Sequence, residues 1–412
     1  MSGAHCIIVG GGHAAAQVVA SLCISQWPGR ITLVSAESYL PYQRPPLSKS
    51  YLSGSSTIEQ ILIRNPDFYK KPNLDVRLAT RVTEITRSDK SVRLDDQSTL
   101  RYDKLVLATG AQVRRTTIDG HGLPGVFYLR SAADADGIRQ QMPRTNKAVV
   151  IGGGYIGLET AAVLCKAGIG VTVLEALPRV LQRVTTEEIS AFYKRVHEEE
   201  GVRVVTGVVV KSIDGDEYVR SVTLQSGEVI DAQLVIVGIG VVACTDLAAV
   251  AGLTVSDGIV VDEYGRTSDP DILAAGDCTN HFNALYGRNI RLESVQNATD
   301  QAKVVADTLG GRLSPYRAIP WFWSDQFDMK LQIAGLSQGY DRVVLRGSTT
   351  EGRSFAAFYF QGDRLLAIDA LNRPKEFVAC RKALSEGRRV DPALLADELV
   401  PIQDAFAEAP QI

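Results

Sequence analysis

CIIVGGGHAA, residues 6–15, joins a short apolar run to a turn of three glycines and then to an Ala/Val/Leu-rich stretch that reads as helix to about Ser25. The order is strand, glycine turn, helix. Its spacing, Gly10-x-Gly12-x-x-Ala15, fits the fingerprint of a dinucleotide-binding βα unit. One glycine makes the tight turn, one admits a pyrophosphate to the backbone, and a small third residue lets helix and strand pack closely. The phosphates then sit on the helix N-terminus, where backbone N–H groups lack partners. The next apolar run, 31–34, leads to Glu37, placed where a carboxylate can accept hydrogen bonds from a ribose.

The same grammar returns later in the chain. Residues 148–151 read as a strand, Gly152, Gly154 and Gly157 complete a full G-x-G-x-x-G turn, and 158–167 continue as helix. A second strand, 171–174, ends at Glu175. Two such units, each with an acidic residue after its second strand, predict a chain that binds two dinucleotides. Glu175 also bears on the choice of nicotinamide, because a carboxylate accepts from a 2′-hydroxyl but repels a 2′-phosphate. NADH is therefore expected rather than NADPH. Arg179 and Arg183 follow closely enough to engage cofactor phosphates.

A chain of 412 residues is long enough for two or three domains, each with its own core. With 45% hydrophobic and 22% charged residues it reads as an ordinary globular protein. A net charge of −3 argues against nucleic acid as the main partner. The six cysteines are scattered, without the spacing of a zinc or iron–sulfur site, and read as reduced, mostly buried thiols. No apolar run reaches membrane-spanning length and no charged leader precedes the first strand, so a cytoplasmic location with no membrane partner is the expectation.

Beyond the glycine turns, the stretches PYQRPPLSK (41–49), LVLATGA (105–111), VIVGIG (235–240), ILAAGDC (272–278), RLESVQNA (291–298) and PWFWSDQ (320–326) resemble the oxygenase-coupled, FAD-dependent NADH:ferredoxin reductases along nearly the whole chain. The resemblance implies an α/β fold: two Rossmann-like dinucleotide-binding domains of the glutathione-reductase-like FAD/NAD type, plus a small α+β C-terminal domain. The expected division is an FAD-binding domain at 1–112 and 241–322, an NADH-binding domain at 113–240, and the C-terminal domain at 323–412. Short alternating runs at 331–334, 342–346, 354–360 and 364–369, then helices at 377–384 and 392–398, fit that last part.

By the same resemblance FAD is held by Gly10, Gly12, Ala15, Glu37, Arg44, Lys49, Thr109, Gly110, Asp277, Val295 and Trp323. NADH is held by Gly152, Gly154, Gly157, Glu175, Arg183, Gly238, Gly240 and Glu293, although Glu293 can equally pair with Arg291. Lys49 and Glu159 are the catalytic candidates, expected as a partly buried ion pair beside the flavin N5, where an ammonium stabilises charge on the reduced ring. Pro45 and Pro46 would stiffen the loop presenting Lys49. The implied partner is a 2Fe-2S ferredoxin, and indirectly an oxygenase. Basic residues Arg373, Lys375, Arg381, Lys382, Arg388 and Arg389 are candidates for attracting an acidic one.

Three alternatives use the same scaffold. A disulfide reductase needs a redox cysteine facing the flavin, and there is no Cys between positions 24 and 164. An NADH oxidase or small-acceptor reductase, and an NADH-binding redox sensor, remain open at the level of sequence.

Overall fold

The structure is a computed structural model that describes residues 3–407. The chain folds into two compact units. The first holds the chain up to Arg44, Ile58–Gln112 and Val241–Ala318; the second holds Pro45–Thr57, Val113–Gly240 and the chain from Ile319 onward.

In the first unit a five-stranded parallel sheet runs in the order Ile272–Ala274, Lys104–Leu107, His5–Val9, Arg30–Val34, Leu74–Arg77. Its strands are apolar on both faces because both faces are covered, as parallel sheets require. Cys6, Ile8, Leu33, Val106 and Leu273 point to one side, where helices His13–Ile24 and Val295–Leu309 supply Val18, Val19, Leu22, Ala302 and Val305. Ile7, Val9, Val34, Leu105 and Leu107 point to the other, against Val82, Ile85, Val92 and Leu94 of a three-stranded antiparallel sheet. The registers Val9↔Val34 and Val9↔Leu107 bring the carboxyl ends of the central strands level, and the first glycine turn leaves from that edge.

The second unit repeats the plan with a parallel sheet in the order Arg203–Thr206, Gly170–Glu175, Lys147–Ile151, Leu234–Val237, Val126–Phe127. A five-stranded antiparallel sheet then forms in the order Trp321–Gln326, Met329–Gly335, Arg364–Leu371, Phe355–Gln361, Arg342–Arg346. Helix Pro374–Glu386 packs on it through Phe377, Cys380 and Leu384. Two Rossmann-like sheets and a small α+β layer are thus the architecture. The sequence reading finds four of the five C-terminal strands. It misses Trp321–Gln326, whose inward residues include Ser324 and Gln326, so the strand's period of two carries little hydrophobic contrast.

Candidate functional site

In the first unit the chain turns at Gly10, with φ +136°; a Cβ there would lie 2.1 Å from the Ala108 carbonyl oxygen. Gly12 is different, since a Cβ built on it meets nothing within 4 Å. The open space lies at the start of helix His13–Ile24, which has no side-chain cap and no acid in its first turn, an arrangement suited to an anion at the helix N-terminus. Ala15 is fully buried under that turn.

Glu37 sits past the end of the neighbouring strand, where Tyr42 and Arg44 both donate to its carboxylate. Arg44 also donates to the Tyr42 hydroxyl at 2.7 Å. Burial works against the Arg44 charge, but Tyr42, Glu37 and Asp277 outweigh it and raise its pKa further. Asp277 follows Gly276, which lies against the start of the same helix; a Cβ on Gly276 would stand 3.1 Å from that of Ala14. The Thr109 hydroxyl donates to the Cys244 carbonyl at 2.7 Å, and Gly110 takes a left-handed φ of +66°. Val295 begins helix Val295–Leu309, capped by Ser294. Glu293 is paired with Arg291, which also reaches Asp257, so the simpler pairing left open in the sequence is present. Around one helix start the first unit thus gathers Gly10, Gly12, Ala15, Glu37, Arg44 and Asp277.

The second turn repeats this geometry. Gly152 has φ +112°, with its hypothetical Cβ 2.4 Å from the Gly238 carbonyl oxygen, and Gly157 is so close to Gly152 that no larger residue fits. Gly154, like Gly12, faces open space, and helix Tyr155–Lys166 begins there without a side-chain cap. Glu175 accepts the backbone N–H groups of Gly153 at 2.7 Å and Leu177 at 2.8 Å, which aims the carboxylate at the turn. A carboxylate has about four acceptor positions, so further donors can still be received. Gly240, with φ +99°, accepts the Arg114 N–H at 2.9 Å. Arg179 is spent on the loop itself, donating to Thr185, Thr186 and Ser190, whereas Arg183 is exposed.

The same unit contains the Lys49–Glu159 pair. A 3-10 turn, Pro45–Ser48, presents Lys49, whose Nζ lies 2.6 Å from the Glu159 carboxylate. The Glu159 side chain is 1% exposed and that of Lys49 21%. Ser48 donates to one carboxylate oxygen and Ser324, at 2.6 Å, to the other. Removing one partner of such a pair leaves a buried charge uncompensated, at a cost of about 3–5 kcal/mol. Trp323 is half-buried and lies against Trp321, ring centroids 5.4 Å apart.

Sequence reasoning overlooked several polar groups here. Ser48, Ser324, Gln326 and His197 are buried in the second unit. So is Asp369, whose carboxyl is raised to about 7 by burial, tempered by hydrogen bonds from Tyr359 and Thr185. No local pattern marked them: PWFWSDQ runs from apolar to polar without alternating. Of the C-terminal basic residues, Arg373 and Arg388 are tied to acids, while Lys375, Arg381, Lys382 and Arg389 are exposed. All six cysteines are free thiols, with Cys6, Cys278 and Cys380 buried. Among the described residues no cluster of metal-ligating side chains occurs, and no helix is long and apolar enough to cross a membrane.

Comparison with known proteins gives the family. Residues 4–302 match the family model described as pyridine nucleotide-disulphide oxidoreductase, and residues 321–406 match the model described as reductase C-terminal. The chain is similar to the putidaredoxin reductase of Pseudomonas putida, 44% identical over 98% of this chain and 97% of that one. It is also similar to the 5,5′-dehydrodivanillate O-demethylase ferredoxin reductase subunit of a Sphingobium species, 41% identical over 98% of each. Among solved structures, the reductase in a covalent putidaredoxin reductase–putidaredoxin complex superposes with a TM-score of 0.95, at 43% identity and 98% coverage of each chain.

Proposed function

Because the chain belongs to the pyridine nucleotide-disulphide oxidoreductase family and carries its reductase C-terminal domain, we propose that it is an NADH:ferredoxin oxidoreductase. It takes two electrons from NADH onto bound FAD and passes them singly to a 2Fe-2S ferredoxin that serves an oxygenase. The observation that carries this reading is the Lys49–Glu159 pair on the Pro45–Ser48 turn. A disulfide-reducing member of the family needs a thiol in that region; this chain has Ser48 and Lys49, both fastened to a buried carboxylate.

The residues fit both nucleotides. Gly10, Gly12 and Ala15 would receive the FAD pyrophosphate, Glu37 the adenosine ribose, and Arg44, Thr109, Gly110 and Asp277 the rest of the chain to the ring, with Val295 and Trp323 along its edge. Gly152, Gly154 and Gly157 would receive NADH, and Glu175 would accept from its 2′-hydroxyl. Arg183, which is exposed, would engage its phosphates, Gly238 and Gly240 would let the nicotinamide approach the backbone, and Glu293 would orient its carboxamide. The bound flavin supplies the chemistry that converts a hydride into two single electrons. The protein's part is alignment, exclusion of water, and the Lys49 charge, which favours the reduced ring. A cytoplasmic location is the reading that six cysteines outside any disulfide, and the NADH that the enzyme would draw on, support.

Steady-state turnover tests the reading. Ferredoxin reduction is expected to be rapid with NADH, at least about tenfold slower with NADPH, and undetectable when a disulfide replaces ferredoxin. Disulfide reduction at a comparable rate would overturn it.

A further inference from the structure

Strand Trp321–Gln326 has two unlike faces. Trp321 and Trp323 stack on one, while Phe322, Ser324 and Gln326 follow at alternate positions on the other. Phe322 meets the Tyr155 ring at 5.1 Å, Ser324 reaches Glu159 at 2.6 Å, and Gln326 reaches His197 at 2.8 Å. Ser324, Gln326 and His197 are all buried, in a layer where apolar side chains would otherwise serve.

The direction of these hydrogen bonds follows from the carboxylate end. Glu159 only accepts, so the single hydroxyl proton of Ser324 is committed to it. Ser324 Oγ must then accept at its other contact, 3.1 Å from the Gln326 amide, which presents its NH2 group there. That leaves the Gln326 carbonyl oxygen facing His197, so His197 Nε2 carries a proton and donates. Burial lowers the His197 pKa and keeps the ring neutral, consistent with a single tautomer. His197 Nδ1 is then a bare acceptor, and among the described residues no group bonds to it.

The end of this chain is clamped. Phe327, in the two-residue turn after Gln326, adopts φ +53°, an uncommon conformation for a bulky residue. His197 packs on its ring at 5.0 Å, and Lys166 donates to its carbonyl at 3.1 Å. A strained turn held from two helices fixes where Gln326 points.

We propose that Ser324, Gln326 and His197 are positioning residues, a one-way donor chain that orients Glu159 and sets how much of the Lys49 charge remains available to the flavin. The proposal rests on the flavin reading of the Lys49–Glu159 pair. With Ser48 and Ser324 both donating, the carboxylate is well satisfied and draws less on the ammonium. When the chain is cut, Glu159 leans harder on Lys49, and the reduced ring loses support.

The test uses the FAD-loaded protein and two sets of variants. Ser324→Ala, Gln326→Leu and His197→Phe cut the chain. Ser324→Thr keeps the hydroxyl, and His197→Gln places an amide N–H where Nε2 was. The two-electron midpoint potential is measured with mediators and a chemical reductant, alongside flavin content, KM and kcat. The cutting variants are expected to retain FAD and their KM for NADH, to lower the potential by about 30 mV, a tenfold shift in the flavin equilibrium, and to lower kcat. The effect should fall from Ser324 to Gln326 to His197, and the conservative variants should recover most of it. Potentials equal to wild type in the cutting variants, or conservative variants displaced as far as the cutting ones, would overturn the proposal. If Gln326→Leu loses flavin, the Ser324→Ala and Ser324→Thr pair decides. The potentials do not depend on NADH, so a wild type that NADH fails to reduce would sink the functional reading and leave this measurement standing.

Discussion

The two glycine turns share a backbone and differ in what they do with their acid. Gly10 and Gly152 make the same strained approach to a neighbouring carbonyl, and Gly12 and Gly154 leave the same empty space. Glu37, however, is gripped by Arg44 and Tyr42, whereas among the described residues Glu175 is held by two backbone N–H groups. A carboxylate locked into a cation and a phenol suits an occupant that stays; one kept on backbone donors suits an occupant that exchanges each cycle. On the proposed reading, the first acid belongs to the site of the resident nucleotide and the second to the site of the exchanging one.

Filling the two empty spaces should break the symmetry most sharply. Gly12→Val is expected to yield protein without flavin, seen as loss of the visible absorbance. Gly154→Val should stay yellow yet be reduced by NADH at least about 100-fold more slowly, because a misplaced cofactor forfeits orientation. Equal flavin loss in both would contradict the assignment of the turns.

The units should also respond oppositely to pH. In the second, Asp369 titrates at about 7 when folded, against 3.8 for the free side chain. Between those values the folded state holds a proton that the unfolded state has released, so stability falls as pH rises, by up to roughly 4 kcal/mol above pH 7. In the first, burial holds His281 at about 4, against 6.5 when free. There the unfolded state gains the proton first, so stability falls as pH drops from 6.5 to 4, by up to roughly 3 kcal/mol. Urea midpoints across pH 4–8 should show Asp369→Asn gaining on wild type toward high pH and His281→Asn gaining toward low pH.

Nucleotide choice should move less. Glu175→Ser is expected to shrink the preference for NADH over NADPH about tenfold in kcat/KM, by removing both an acceptor and a repulsion. Smallest of all, Arg183→Ala should raise KM for NADH no more than about threefold, as an exposed charge is well screened. Arg179→Ala should instead lower stability, since that side chain holds its loop together.

Both glycine turns were legible because their signal is local: a strand, three glycines and a helix within some twenty residues. The acids at Glu37 and Glu175 were placed by the same rule. Lys49 and Glu159 were paired through resemblance alone, as nothing in the sequence around either names the other. What stayed hidden is long-range and polar. Ser324 meets Glu159 across 165 residues, His197 meets Gln326 across 129, and neither side chain differs in type from a surface residue. That Pro45–Thr57 folds with the second unit, between two stretches of the first, is written in no local composition. Strand Trp321–Gln326 escaped because its inward face carries the polar groups that matter.

The central claim is the route from NADH through flavin to ferredoxin, and anaerobic stopped-flow absorbance tests it most directly. Mixing the FAD-loaded protein with NADH should bleach the flavin rapidly, NADPH should do so far more slowly, and a following pulse of oxidised 2Fe-2S ferredoxin should restore the colour with two ferredoxins consumed per flavin. Flavin that NADH bleaches and ferredoxin cannot reoxidise would contradict the account.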